Sequence, residues 1–420
     1  MNRIVYSLIL YLLSPLVVLY LGFRAIKSAD YRSRWSERFG FAHVMRTDVL
    51  IHSVSMGETL AAIPLIKRLM AAHPHYSFTV TTTSPTGSAE VKKAFGDKVQ
   101  HCYLPFDFAY AIKGFLRQLQ PKVCIIMETE LWPNLIHFAA RQQVTLILAN
   151  ARLSQKSADK YASKPRLTVP MLAKLSLITV QTQSEAERFI DLGVEAQRLH
   201  VCGSLKFDLS IDPLKQQQAE ALRAQWGRQH SPIWVAGSVH PGEFDAMLAA
   251  HKQVLSRFPD ALLIMAPRHP EQFNLAAMTV TQAGLILARR SLHDEVNSQT
   301  QVLLGDTMGE LLMLYGAADQ AFIGGTLINS GGHNPLEPAA MGLPVYVGPN
   351  HWNFAEITQL LADAGGLMCI ASADELAQNL QDKFTDNSVY QYASIAALRV
   401  VEQNRGALLK QFSLINQLIG

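Results

Sequence analysis

Only four cysteines occur in 420 residues. Cys102, Cys124, Cys202 and Cys369 stand far apart and form no CxxC pair, so neither a zinc site nor a disulfide framework is encoded. Each lies in or beside an apolar run, where a free thiol packs as a small hydrophobe, and such usage fits a reducing compartment. There is no GxxxxGK[ST] loop, which excludes P-loop phosphate handling, and there is no HExxH or metal-holding DxD pair. The reaction is therefore expected to need no metal and no cofactor, with leaving-group charge met by basic side chains and a helix start. Charge is also scarce. Charged residues make up 17% and the net charge is +3, far from the basic excess of a nucleic-acid binder. With 49% hydrophobic residues, the balance points to a large buried core plus some membrane contact and argues against disorder.

The length exceeds what one hydrophobic core usually supports, so two domains of roughly 150 to 200 residues are the default. Ile4 to Phe23 forms an almost uncharged run of about the length needed to cross roughly 30 Å of hydrocarbon. Its apolar part is long for a signal peptide, and Arg24 follows where a cleavage site would stand, so an uncleaved anchor helix is expected over residues 4–23. Pro15 would equally suit a helix lying in the interface. Arg24, Lys27, Arg32, Arg34, Arg38 and Arg46 crowd the next stretch. This collar is either a solvated face or a contact with anionic headgroups or a phosphorylated lipid, and its position places the rest of the chain in the cytoplasm.

From Val49 the chain alternates short apolar strands with amphipathic helical stretches, the pattern of βα units on a parallel sheet. One series of strand candidates comprises Val49 to Val54, Phe78 to Thr82, Val123 to Met127, Val144 to Ala149 and Leu177 to Val180. A second comprises Ile233 to Ala236, Leu262 to Ala266, Val302 to Leu304, Ala321 to Ile323 and Pro344 to Val347. The expected fold is α/β, with two doubly wound Rossmann-like domains facing a cleft and ligands at the carboxyl ends of the strands. The first domain spans 24–208, a polar connection 209–231, the second domain 232–400, and a C-terminal helix 401–420 packs back on the first domain.

Four constellations follow strands. In His52-Ser53-Val54-Ser55-Met56-Gly57-Glu58-Thr59, Ser55 and Glu58 spell a capping box, and Glu58 could equally be a general base at the cleft mouth. In Met127-Glu128-Thr129-Glu130-Leu131-Trp132-Pro133-Asn134, Glu128 either pairs with a basic residue or lies near Glu58 and raises one carboxyl pKa. In Gly203-Ser204-Leu205-Lys206-Phe207-Asp208, Lys206 could hold a phosphate or carboxylate together with Arg268 across the cleft. Finally, Gly324-Gly325-Thr326 and Gly331-Gly332-His333 precede Asn334, Pro335, Leu336 and Glu337. Those four residues predict a helix with Asn334 as N-cap and Pro335 first, whose start is also a ready anion site.

Together with Pro267 to His269 and Gly305-Asp306-Thr307-Met308-Gly309-Glu310, these motifs resemble the bacterial Kdo (3-deoxy-D-manno-octulosonic acid) transferase family, specific for lipid A, essentially from end to end. The resemblance implies a GT-B glycosyltransferase that carries Kdo from CMP-Kdo, with inversion, to the 6'-hydroxyl of a tetraacylated, bis-phosphorylated lipid A precursor. It makes Glu58 the catalytic base, with Glu128 and Lys206 stabilising the transition state. It assigns CMP to Pro267, Arg268, Met308, Gly309, Glu310, Asn334, Pro335, Leu336 and Glu337. The implied setting is the cytoplasmic side of the inner membrane, with its lipid surface, the acceptor and other enzymes of lipopolysaccharide assembly as partners. Rival classes are a nucleotide-sugar 2-epimerase, which needs neither anchor nor collar, and a membrane-tethered nucleotide-sugar scaffold, which needs no Glu58 base.

Overall fold

The computed structural model describes residues 1–209 and 213–419. Residues 210–212 of the expected connection lie outside the described residues, as does the side chain of Lys27. The chain divides into a first unit, 1–208 with 405–420, and a second unit, 209–404. The expected connection is thus part of the second unit, whose helix Pro213–Gln225 packs on the helix Leu311–Gly316. The second unit also runs past residue 400 to the end of the helix Asn387–Asn404.

The first unit holds a seven-stranded parallel sheet of order β3-β2-β1-β4-β5-β6-β7. Its strands are β1 Val49–His52, β2 Phe78–Thr82, β3 Gln100–Tyr103, β4 Val123–Met127, β5 Thr145–Ala151, β6 Leu177–Val180 and β7 Leu199–Val201. Alternate residues of β1 and β4 feed two cores. Leu50, Cys124 and Ile126 go to one face, and Val49, Ile51, Val123, Ile125 and Met127 to the other. That alternation explains why the strands read as continuous apolar runs. The C-terminal helix Ala407–Ile419 closes one face, contributing Ala407, Ile415 and Ile419 to the core.

The second unit repeats the plan with β8 Ile233–Val239, β9 Leu262–Pro267, β10 Leu287–Arg289, β11 Val302–Leu304, β12 Gln320–Ile323, β13 Val345–Val347 and β14 Leu367–Cys369. Their order is β10-β11-β9-β8-β12-β13-β14, again all parallel. β3 and β10 escape the apolar-run criterion because Gln100, His101 and Arg289 interrupt them, and β14 is an uninterrupted apolar run of only three residues.

The expected single anchor helix is two helices, α1 Arg3–Leu12 and α2 Ser14–Lys27, bent by 54° at the break. Pro15 has no N–H to give the carbonyl of Tyr11, and the Ser14 hydroxyl donates to that oxygen instead at 2.8 Å. Among the described residues no single helix is long and apolar enough to cross a membrane, while this bent pair has the length and composition together. α1 docks on the first unit. Ser7 Oγ and Arg3 Nη1 each donate to Asn134 Oδ1 at 3.0 Å, and the Tyr11 ring stacks on Phe108 at 5.6 Å.

Candidate active site

In the first sheet the strand order reverses between β1 and β4, and the loops leaving those two strands meet at its carboxyl edge, where doubly wound sheets bind ligands. From β1 the chain enters the helix Met56–Ala72 through a capping box. Glu58 Oε1 accepts from the Ser55 hydroxyl at 2.7 Å and the Ser55 N–H at 3.2 Å, and Oε2 accepts from the Val54 N–H at 2.7 Å. The capping reading is therefore realised in full. It does not hold the carboxyl in its usual acidic range. Glu58 is only 7% exposed, and burial, reinforced by the charges of Glu128 and Glu130, pushes its pKa up to about 7 against the pull of those hydrogen bonds.

Glu128 leaves β4 in the left-handed region, φ +52°, with its N–H bonded to Ala149 O at 2.9 Å. This turn aims the carboxylate at Lys206, whose Nζ stands 3.3 Å from Oε1. Both sequence readings of Glu128 thus hold, since it is paired and it also raises the Glu58 pKa. Glu130 accepts from Trp132 Nε1 at 3.0 Å, and burial raises its pKa too. The edge of Trp132 meets the fully buried His52 ring, 5.3 Å between centroids.

Lys206 sits on a single turn, Leu205–Phe207. Two buried residues that the motifs did not mark fix that turn. Asn150, at φ +54° beside the register shift between β5 and β6, accepts from the Leu205 N–H at 3.0 Å. Gln411, from the C-terminal helix, accepts from the Asn150 N–H and the Thr179 hydroxyl at 3.0 Å and donates to Gly203 O at 3.2 Å. Asp208 completes the link by accepting from the N–H groups of Gly406 at 2.7 Å and Leu408 at 2.6 Å. A signal for Gln411 existed: it shares a four-residue spacing with Ala407, Ile415 and Ile419, so a polar residue stands in a buried stripe.

The second sheet has its own reversal between β8 and β12. After β8 comes His240, whose Nε2 lies 2.8 Å from His333 Nε2 and whose ring meets His269 edge-on. Burial, then the positive charge of Arg268, pushes His333 down to about 3, so the ring is neutral. Glu243, fully buried, accepts from the His240 N–H and from the N–H groups of Gly325, Thr326 and Leu327 at 2.8–3.0 Å, fixing the glycine loop after β12. Gly324 packs so tightly there that an added Cβ would meet Ser238 O at 2.3 Å.

The helix expected at Asn334 begins one residue later, as Leu336–Ala340, with Pro335 at the cap position. Asn334 still serves its start, because Oδ1 accepts from the Leu336 N–H at 3.1 Å. Glu337 is half-buried, and desolvation raises its pKa, which the Asn334 amide and Arg268 partly offset. Glu310, which follows exposed Met308 and the left-handed Gly309, instead receives a two-pronged bond from Arg290 at 2.8 and 3.0 Å. Pro267 ends β9, and Arg268 follows it with its N–H bonded to Val239 O at 2.9 Å. Lys206 and Arg268 belong to different units. Among the described residues no three His, Cys, Asp or Glu side chains gather as a metal site.

The basic collar divides. Arg38 is 4% exposed, donates to Thr83 O at 2.8 Å and lies 3.9 Å over the Tyr103 ring. Arg34 forks onto Glu37 at 2.7 and 2.8 Å and reaches Ser88. These two arginines are bonded within the first unit. Arg32 and Arg46 are exposed.

A family model described as 3-Deoxy-D-manno-octulosonic-acid transferase (kdotransferase) matches residues 33–209. The chain is 39% identical over 420 residues to the 3-deoxy-D-manno-octulosonic acid transferase of Haemophilus influenzae, covering 99% of this chain and 98% of the relative. It is 35% identical over 387 residues to that of Bordetella pertussis, covering 88% of each. Among solved structures, the UDP-GlcNAc 2-epimerase of Neisseria meningitidis bound to UDP-GlcNAc superposes with a TM-score of 0.58 at 13% identity, over 89% of this chain and 99% of that one. At that identity the likeness is one of fold alone.

Proposed function

The chain belongs to the 3-deoxy-D-manno-octulosonic acid (Kdo) transferase family and is a glycosyltransferase, and from that premise we propose that it moves Kdo from CMP-Kdo, with inversion, to the 6'-hydroxyl of a lipid A precursor at the cytoplasmic face of the inner membrane. The observation that carries this reading is the Glu58 carboxyl, aimed by its capping box and poised by burial at a pKa of about 7. A base tuned near the working pH gains most from proton transfer. Glu58 takes the acceptor hydroxyl proton as that oxygen bonds to the anomeric carbon, and the bond from that carbon to the CMP phosphate oxygen breaks, its electron pair leaving with CMP. Lys206, steadied by Glu128 at 3.3 Å, stabilises negative charge as it develops.

In this reading the second unit takes the nucleotide. Arg268 meets phosphate charge, and Glu337 at its short helix start accepts from ribose hydroxyls. Exposed apolar side chains along α1 and α2, among them Leu8, Leu12, Leu19 and Ile26, attach the enzyme to the lipid surface that carries its acceptor. The test is mass spectrometry of a lipid A precursor incubated with CMP-Kdo and the protein. A lipid product heavier by whole Kdo units is expected. Unchanged lipid mass with CMP-Kdo intact would overturn the reading, and isomerised nucleotide sugar without a lipid product would favour the epimerase class.

A further inference from the structure

Beside the docked α1 lies a cavity of about 300 Å³ lined by Arg3 and Ile4 of α1, His137 of the helix Pro133–Arg141, and Arg166, Pro170 and Lys174 on and after the helix Pro165–Leu172. No described acidic side chain lines it. Its cations feel one another. Burial, then Arg3, holds the Lys174 ammonium below its usual range, and burial, Arg3, Lys174 and Arg141 hold His137 down. Arg3 is fixed from behind by Asn134 at 3.0 Å and by the Phe138 ring at 5.5 Å, and Lys174 reaches back to the carbonyl of Pro170. A concentration of positive charge in a concave site, with its own members destabilised by mutual repulsion, is complementary to an anion.

The rim says what kind of anion. Ile4 lines the cavity and is 62% exposed, and Leu8 and Leu12 follow at four-residue spacing, 63% and 80% exposed. An apolar stripe on one helix face therefore starts at the mouth of the basic cavity. A free phosphate would use the cavity and leave the stripe bare, whereas a lipid fills both. We propose that this cavity binds the phosphate of an anionic bilayer phospholipid, whose acyl chains lie along the exposed face of α1. The site serves to seat and orient the first unit on the membrane. The proposal rests on the reading that the chain works at a lipid surface, and it adds to that reading a defined headgroup site distinct from Glu58, Glu128 and Lys206.

The experiment is flotation of the full-length protein with vesicles of phosphatidylcholine alone or with phosphatidylglycerol added. It compares wild type with Arg166→Gln, with Arg166→Gln/Lys174→Gln, and with a control pair of equal charge on the second unit, Lys252→Gln/Arg257→Gln. The double variant is expected to lose about tenfold or more in partition to the anionic vesicles, and the exposed Arg166→Gln alone a few-fold. The control pair should change little. Binding to neutral vesicles and the Michaelis constant for detergent-dispersed acceptor should stay within about twofold. Loss no larger than the control pair's would overturn the site, as would full protection of the cavity by inorganic phosphate without lipid. A raised acceptor Michaelis constant with unchanged vesicle binding would assign the cavity to the acceptor instead and overturn the proposal. If the wild type ignores anionic vesicles altogether, the lipid-surface reading itself fails, a result distinct from equal binding by wild type and variant.

Discussion

Glu58 of the first unit and the pair Asp306 and Glu310 of the second are carboxylates treated in opposite ways. In the first unit Glu58 is buried against hydrogen-bond donors but no cation of its own, and its pKa rises to about 7. In the second unit Asp306 and Glu310 each meet an arginine at 2.8 Å, Arg289 and Arg290, and both are held below the usual carboxylate range. A carboxylate locked in an ion pair is a poor proton acceptor near neutral pH, while one left short of positive charge is ready to take a proton. The contrast lies between Glu58 and the arginine-paired Asp306 and Glu310; Glu337, also in the second unit, is raised by burial as Glu58 is.

The largest expected effect is at Glu58. Glu58→Gln preserves the shape of the capping box, so CMP affinity should stay within about twofold while turnover falls by roughly a thousandfold. In the wild type, kcat/KM should rise as pH increases through about 7, because Glu58 acts only when ionised and its burial places that ionisation there. Isothermal titration with CMP and a pH series of initial rates check both, and retained transfer by the variant would remove Glu58 from the chemistry.

A second, smaller effect tests whether the first unit's acids act as a set. Lys206→Met removes the cation 3.3 Å from Glu128 and should lower kcat/KM by about a hundredfold. Glu128 would then act on Glu58 with its charge uncompensated, so the acid limb of the pH profile should move upward. An unmoved limb would show that the Glu128 charge does not act on Glu58.

The smallest effect is expected in the second unit. Arg290→Met frees Glu310 from its fork and should weaken CMP binding by roughly three- to tenfold, as suits a half-exposed pair. Turnover at saturating donor and the acid limb should not change. A shifted limb would erase the distinction between the two units.

How much of this was legible beforehand depends on range. The runs Val123 to Met127 and Leu262 to Ala266 announced buried parallel strands because both faces of such strands are covered. Ser55 and Glu58 announced a helix start because capping is a contact three residues long. The partners of Arg34 and Arg38 in the collar were not legible because an arginine's partners are chosen in space: Arg38 finds Thr83 and Tyr103, and Arg34 finds Ser88, far along the chain. The break in the expected single helix was not legible because hydropathy counts apolar residues without asking which backbone N–H is missing at Pro15.

The sequence by itself determined the two parallel sheets, the capped carboxyl at the end of β1 and the family, since all three are written in short runs of side-chain character and in consecutive motifs. The tertiary structure alone decided that Lys206 faces Glu128, that Gln411 of the last helix steadies their turn, and that a basic cavity opens beside α1. The physical reason is that electrostatic and hydrogen-bond partners are set by which strands and helices lie side by side, and chain order does not record that adjacency until the sheet has closed.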